Sequence, residues 1–405
     1  MEKCRSCGGN DLYMFLDLGH MPPSNSFLNR RQLGDPETIY PLKVYFCPSC
    51  ALVQIDEIVS AGKIFDDAYP YFSSDTTSNV VHAKEFADAT FEHGIKSGDK
   101  ILEIGSNDGY MLAHFQEMGC DVLGIDPARQ PVMKAMGRGL NTICGFFGPD
   151  FAKDIRIAYG QYNLVCGINV FAHQPDLNGF VSGMKSMLLH DGMIVMEFPH
   201  LLRLLDDCQF DTIYHEHYNY FSAIALVPLF ARHGMEIFDI EETPTHGGSI
   251  RIYVQNNGVR PVNEAVLRIL REETEMLMGT PAAYGAFAHR VHKVTSDLLE
   301  FIHSGTYDQK VVSYGAAAKG NTLLNYCGIK PPFVQYAIDR SPHKRGLFLP
   351  GSHIAVVGEE VLKRFQPDYV LITAWNLADE IMEQLKYIRI WDDHFVIPIP
   401  ELKVI

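Results

Sequence analysis

The densest chemistry in the chain is the run Tyr214-His215-Glu216-His217, which continues through Tyr218-Asn219-Tyr220-Phe221-Ser222. Two imidazoles, a carboxyl and a phenol occupy four consecutive positions. Imidazole titrates near neutral pH, so a histidine beside a carboxylate suits a general base. His-x-His also invites a metal reading. The H-E-x-x-H pattern of zinc proteases does not fit, because the residue four after His215 is Asn219. Helical spacing would not put both imidazoles on one face either. The plain alternative is a solvated loop with aromatic anchors. A second candidate is His246-Gly247-Gly248-Ser249-Ile250-Arg251. A Gly-Gly turn is most often only a turn, but beside His246 and Arg251 it could receive an anion.

Thiolate chemistry sits near the start. Cys4 and Cys7 form one C-x-x-C knuckle, and Cys47 and Cys50 form another. Each knuckle aims two thiolates at one point, and four of them at about 2.3 Å satisfy tetrahedral zinc. Two redox pairs, or a chance spacing, would be the other readings. No histidine that could serve as a catalytic ligand adjoins the knuckles, so the expected zinc is structural and its coordination closed. A hairpin or two must fill the stretch between them; Tyr40–Phe46 reads as a strand entering the second knuckle and Leu52–Ile55 as a strand leaving it.

The elements that must position these groups alternate. Lys100–Ile104 reads as a buried strand, and Gly105-Ser106-Asn107-Asp108-Gly109 as a tight turn before a helical pattern. Gly105 permits positive φ and close backbone approach, and Asp126 ends the next apolar run. A carboxylate on the order of 20 residues beyond such a turn suits ribose hydroxyls. Glu103-x-Gly105-x-x-x-Gly109 is similar to motif I of Rossmann-type methyltransferases that use S-adenosylmethionine. A nicotinamide site and a bare turn are the other readings. Strands at 162–169 and 192–197 complete a doubly wound parallel sheet, whose ligands sit beyond the strand C-termini. That rule places Gly105, Asn107, Asp126 and Asn169 on one rim, with His173 near. Residues 222–233 read as a helix, and 262–303 as a charged, solvated helical connector. A second strand-turn-helix, Lys310–Asn321, carries Tyr314 and Lys319, and Asp339 ends its next strand. Its small-residue loop and Lys319 suit a diphosphate, held by backbone amides and one point charge. A Rossmann duplicate that only packs is the alternative.

Bulk properties narrow the partners. The chain has 405 residues and a net charge of −15, with no basic run. Two or three domains fit that length. A nucleic-acid or anionic-membrane partner is not expected. No apolar run reaches a membrane span, and the start does not read as a signal peptide. Nine cysteines, five of them scattered singly, point to a reducing, cytoplasmic location. Oligomeric state is left open.

Taken together, the knuckle pair, Y-x-Y-x-S-S at Tyr69, Tyr71, Ser73 and Ser74, E-I-G-x-N-D-G at 103–109, Y-x-E-H at Tyr214, Glu216 and His217, H-G-G-x-x-R at 246–251 and Y-G-A-x-A-K-G at 314–320 resemble the sugar C-3 methyltransferases that build branched deoxysugars on nucleotide diphosphates. The resemblance covers essentially the whole chain. It implies an α/β protein with a zinc-binding domain at 1–66, an S-adenosylmethionine-binding Rossmann domain at 67–260, and a smaller Rossmann-like domain at 261–405 that holds the nucleotide sugar. It implies His217 as base, with Tyr214, Glu216 and Tyr69 completing the catalytic set. Glu103, Gly105, Asn107, Gly109, Asp126 and Asn169 would hold the cofactor. Tyr71, His246, Arg251, Tyr314, Lys319 and Asn321 would hold the substrate. His215 departs from the pattern and has no assigned role. In the expected chemistry, His217 removes an acidic proton at C-3, next to a 4-keto group. Glu216 steadies the imidazolium, and a tyrosine donates to the enolate. An O- or N-methyltransferase, a nicotinamide-dependent sugar oxidoreductase and a zinc-knuckle scaffold with inactive α/β domains are the competing classes.

Overall fold

Parallel pairing brings the ends of the buried strands to one edge, and that edge positions the first group of candidate residues. In the computed structural model, which describes residues 1–60, 62, 72–305, 309–391 and 393–405, the chain divides into two compact units, each gathered from separated stretches. One comprises Met1–Leu12, Cys47–His200 and Tyr218–Gly279; the other comprises Tyr13–Phe46, Leu201–His217 and Thr280–Ile405. The boundaries expected after 66 and 260 do not fall between these units. Tyr69 and Tyr71 lie outside the described residues.

The first unit is built on a seven-stranded sheet. Its order is Met235–Thr243, Ser249–Asn256, Leu188–Pro199, Tyr162–Ile168, Lys100–Ile104, Asp121–Asp126 and Thr142–Cys144. Ser249–Asn256 runs antiparallel to both of its neighbours, and the pairs from Leu188–Pro199 to Thr142–Cys144 are all parallel. Ile101, Leu102, Leu164, Val165, Ile194 and Val195 are fully buried, as strands covered on both faces require. Helix Thr77–Glu92 sends Ala83, Phe86 and Ala87 into the same core as Phe115, Leu164 and Tyr253.

Helix Ala223–Arg232 lies within the expected 222–233. Ser222 caps it by accepting the Ala225 amide. The expected solvated connector is two helices, Glu264–Glu275 and Pro281–Glu300, and it is not wholly solvated. Glu273 is fully buried and accepts the amides of Ala223 and Ile224 at 2.7 and 2.8 Å, and the His200 ring lies 2.7 Å away. Val266 and Ile269 precede it on the same buried stripe. The carboxylate therefore meets otherwise orphaned donors at a helix start, which offsets its desolvation.

The second unit holds a six-stranded sheet in the order Ala355–Val357, Tyr336–Ile338, Val311–Tyr314, Tyr369–Ile372, His394–Ile397 and Lys403–Val404. All neighbours pair in parallel except the last two. The expected smaller α/β layer is present, with its core around Val312, Ile338, Val370 and Phe395. Strands Tyr13–Met21 and Tyr40–Phe46 pair antiparallel, as expected between the knuckles. Tyr284 of helix Pro281–Glu300 stacks on Phe46 at 4.4 Å and meets Phe15 at 4.9 Å. Among the described residues, no helix is long and apolar enough to cross a membrane.

Candidate functional site

The four knuckle cysteines converge. Their sulfurs lie within 4.8 Å of one another, with Cys4 to Cys50 at 3.5 Å and Cys7 to Cys47 at 3.6 Å. Thiolates bound to one tetrahedral zinc sit about 3.8 Å apart, so the donor set fits that ion. Gln54 donates to the Cys4 sulfur at 3.2 Å, and the Gly9 amide to Cys7 at 3.4 Å, which orients the ligands. Among the described residues this is the one group of three or more histidine, cysteine or acidic side chains able to hold a metal. His215 and His217 do not form another.

On the strand-end rim of the first unit, the glycine turn is tight. Gly105 has φ +73°, and a Cβ there would lie 3.1 Å from the Val170 side chain; at Gly109, φ is +75° and a Cβ would meet Leu140 at 2.2 Å. Asp126 ties the turn to the next one. Its carboxylate accepts the Asn107 amide at 2.9 Å and the Ala128 amide at 2.8 Å. Burial pushes this carboxyl up to about 6, against the pull of those amides. Each oxygen keeps a second lone pair for a hydroxyl. Glu103 is buried, and desolvation, with Asp126 and Asp108 adding, holds it well above the usual carboxylate range. Asn107 accepts the Ser73 amide at 2.8 Å through its side chain.

Asn169 stands at the same rim with φ 55°, its amide on the Glu197 carbonyl at 2.8 Å and its carboxamide on His246 Nε2 at 2.9 Å. Among the described residues Asn169 Oδ1 is buried without a partner. A cradle with no room for Cβ, an acidic residue at the second strand end and an unpaired buried acceptor together fit an adenosyl ligand with a charged donor group. A cavity of about 480 Å³ opens nearby, lined by His82, Thr243, Thr245 and Arg251 among others.

Arg251, expected to receive an anion, is committed elsewhere. Its guanidinium pairs with Glu197 at 3.0 Å and Glu241 at 2.9 Å and lies over the Phe86 ring. Two carboxylates already meet its charge. Glu197 also takes the His82 ring at 2.5 Å and the Thr245 hydroxyl at 3.2 Å. Burial pushes the Glu197 carboxyl up, but His82 and Arg251 outweigh it and hold it below its ordinary value. Arg251 therefore steadies the His246 turn through Glu197 and Thr245.

The second unit gathers the other set. His217 and Tyr214 are half-buried, and the Tyr214 hydroxyl lies 2.9 Å from His217 Nε2. The ring's Nδ1 lies 3.1 Å from the Thr212 carbonyl. A carbonyl can only accept, so Nδ1 carries the proton. In the neutral ring Nε2 is then the basic nitrogen. Glu216 does not bridge to this imidazole, as the adjacency suggested. It accepts from Asn25 Nδ2 at 2.7 Å, and burial lifts its carboxyl to about 7 against that bond. His215 is buried against the Tyr40 ring and the Pro41 carbonyl, and burial lowers its pKa.

Lys319 differs from expectation too. Its ammonium lies 4.5 Å over the Trp375 ring and bonds Asn376 Oδ1. Desolvation lowers its pKa, opposed by Asp211. In the small-residue loop, Asp339 already takes the Ala316 amide at 2.8 Å. Tyr314 is buried with its hydroxyl on Glu359 at 2.5 Å. Asn321 donates to the Ser24 carbonyl at 3.3 Å, and its buried Oδ1 has no partner among the described residues. Sequence reasoning passed over Asn25, Asp211 and Trp375. Trp375 and Asn376 follow strand Tyr369–Ile372, so the strand-end rule already pointed to them. The rigid Pro22-Pro23 pair before Ser24 was the only sign of Asn25.

Three family models match consecutive stretches: "Putative zinc binding domain" at residues 4–65, "Methyltransferase domain" at 81–240 and "C-methyltransferase C-terminal domain" at 244–400. The chain is 34% identical over 411 aligned positions to the C-methyltransferase NovU of Streptomyces niveus, covering 100% of this chain and 97% of that one. Among solved structures, it is similar to a magnesium protoporphyrin IX methyltransferase from Synechocystis PCC 6803 with bound SAH, at 14% identity and TM-score 0.36, over 48% of this chain and 92% of that one. An S-adenosylmethionine-dependent methyltransferase from Clostridium acetobutylicum ATCC 824 is 12% identical at TM-score 0.36, over 46% and 94%. Those two likenesses lie far below the level from which a shared activity follows.

Proposed function

This chain belongs to the S-adenosylmethionine-dependent C-methyltransferases, and we propose that its acceptor is C-3 of a 4-keto-deoxysugar carried on a nucleoside diphosphate. The cofactor supplies an electrophilic sulfonium methyl. Everything else in the reaction falls to the chain's own groups.

Carbon becomes nucleophilic only when a neighbouring carbonyl can take up charge. An acceptor of this class therefore needs a base for the C–H proton and donors for the developing enolate oxygen. The observation that carries the reading is the placement of His217 Nδ1 on the Thr212 carbonyl. Thr212 holds Nδ1–H and leaves Nε2 as the base. Tyr214, 2.9 Å from that nitrogen, is the donor we assign to the enolate oxygen. Glu216, whose carboxyl burial lifts to about 7, holds Asn25 by accepting its carboxamide N–H. Asn321, with its unpaired buried carboxamide oxygen, and Asn25 give the site polar groups for sugar or nucleotide. Asn169, Asp126 and the Gly105 turn hold the cofactor, and the Cys4, Cys7, Cys47 and Cys50 zinc is structural.

The test offers the enzyme S-adenosylmethionine with a panel of nucleoside diphosphate 4-keto-6-deoxyhexoses and with their 4-hydroxy counterparts. The reading expects a new carbon–carbon bond at C-3, seen by NMR as a methyl without an oxygen neighbour, from the keto sugars alone. Equal methylation of the 4-hydroxy sugars would overturn it in favour of O-methylation.

A further inference from the structure

One buried carboxylate in the second unit has no part in the chemistry described so far. Asp211 is fully buried in the short turn Phe210–Thr212. Its Oδ2 accepts the Trp375 indole N–H at 2.8 Å. Its Oδ1 has no partner among the described residues. An isolated buried carboxylate is costly, and burial without a function selects an apolar residue instead. The surroundings temper the cost. Trp375 donates to one oxygen, and the Lys319 ammonium, seated over the same Trp375 ring, supplies opposite charge. Burial still pushes the Asp211 carboxyl up to about 6.

The residue that follows Asp211 in the same turn carries the contact to the imidazole. The Thr212 carbonyl receives His217 Nδ1 at 3.1 Å. Thr212 is itself pinned by its amide and hydroxyl on the Gln209 carbonyl, at 3.1 and 2.7 Å. The chain of contacts runs from Lys319 and Trp375 to Asp211, through one peptide to Thr212, and on to the imidazole. We infer that Asp211, clamped by Trp375, is a positioning residue that fixes the tautomer of His217 by holding the Thr212 carbonyl on Nδ1. In water the neutral imidazole is free to place its proton on either nitrogen. A base that must present Nε2 needs that choice made beforehand. On this inference the Lys319 that the small-residue turn delivers serves the base through Asp211 rather than a diphosphate.

The inference rests on the reading of His217 as base, but its test is independent of turnover. Ring-labelled histidine NMR reports which nitrogen of His217 carries the proton, with the signal assigned by its loss in His217→Asn. In the intact protein the proton is expected on Nδ1. In Asp211→Ala it should redistribute to a mixture of both tautomers. Turnover should fall by about tenfold or more, with KM for both substrates within about twofold. Asp211→Asn keeps an acceptor for the indole and should retain the Nδ1 tautomer and most of the rate. Should Asp211→Ala fail to fold, Trp375→Phe removes the indole donor while leaving the carboxylate, and should produce the same tautomer mixture. An unchanged Nδ1 tautomer in the folded Asp211→Ala or Trp375→Phe protein overturns the inference, whatever the activity. A redistributed tautomer at full activity overturns the reading of His217 as base instead.

Discussion

The Tyr214 hydroxyl and the His217 Nε2 lie 2.9 Å apart, with their rings 4.1 Å centroid to centroid, while the far nitrogen of the same imidazole is held by a backbone carbonyl. With the ring neutral, the hydroxyl donates, and the imidazole is held with its basic nitrogen turned to the phenol. Tyr214→Phe keeps the ring and removes that donor together with the proposed enolate partner. Loss of one such donor costs about a hundredfold in kcat. Steady-state kinetics should show that loss with little change in KM for S-adenosylmethionine. Unchanged kcat would remove Tyr214 from the chemistry.

Glu216 gives a stability prediction with a definite sign. Its folded pKa of about 7 lies above the unfolded value of 4.5, because burial disfavours the charge. The folded state binds the proton more tightly, so the contribution is fully present below about pH 4.5 and is lost as pH rises through about 7. Glu216→Gln has no proton to lose there. Its melting temperature relative to wild type should therefore rise between pH 5 and 8, by a free-energy difference on the order of 2 kcal/mol. A gap that stays flat with pH would place this carboxyl in water.

The glycine turn should be intolerant at Gly105. Its φ is +73°, and an added Cβ would press on Val170 at 3.1 Å. Val is stiff at χ1 and cannot swing aside cheaply. Gly105→Ala should cost roughly 1–2 kcal/mol of stability and weaken S-adenosylmethionine binding in calorimetry. Full affinity in that variant would mean the turn does not shape the cofactor site.

The zinc prediction separates structure from catalysis. Cys50 is buried and lies 3.5 Å from Cys4. Cys50→Ser should cut the metal content from about one zinc per chain to near zero and lower the melting temperature by several degrees. Whatever fraction stays folded should keep its KM for S-adenosylmethionine. A variant that melts normally without metal would make the knuckles dispensable.

Legibility in the sequence followed the range of the interactions. The parallel strands from Lys100–Ile104 to Leu188–Pro199, the glycine turn with Asp126, and the knuckles are written in local period and spacing, whereas the short edge strand Thr142–Cys144 was not read. Partners that depend on side-chain direction were not readable. Arg251 stands on a strand between two acidic neighbours, so its charge is met by Glu197 and Glu241. Adjacency suggested that Glu216 serves His217, yet consecutive residues in a turn diverge, and Glu216 meets Asn25 from far upstream. Glu273 looked solvated because its helix is rich in charge, although it occupies the one apolar stripe. Asp211 gave no signal at all, since its partners Trp375 and Lys319 are distant in sequence.

The most direct test of the central claim is solvent deuterium exchange at C-3 of a nucleoside diphosphate 4-keto-deoxysugar, followed by NMR with the enzyme present and S-adenosylmethionine absent. The account predicts exchange with wild-type enzyme well above the rate in buffer, and exchange at the buffer rate with His217→Asn. Enzyme-dependent exchange that persists in His217→Asn would contradict it.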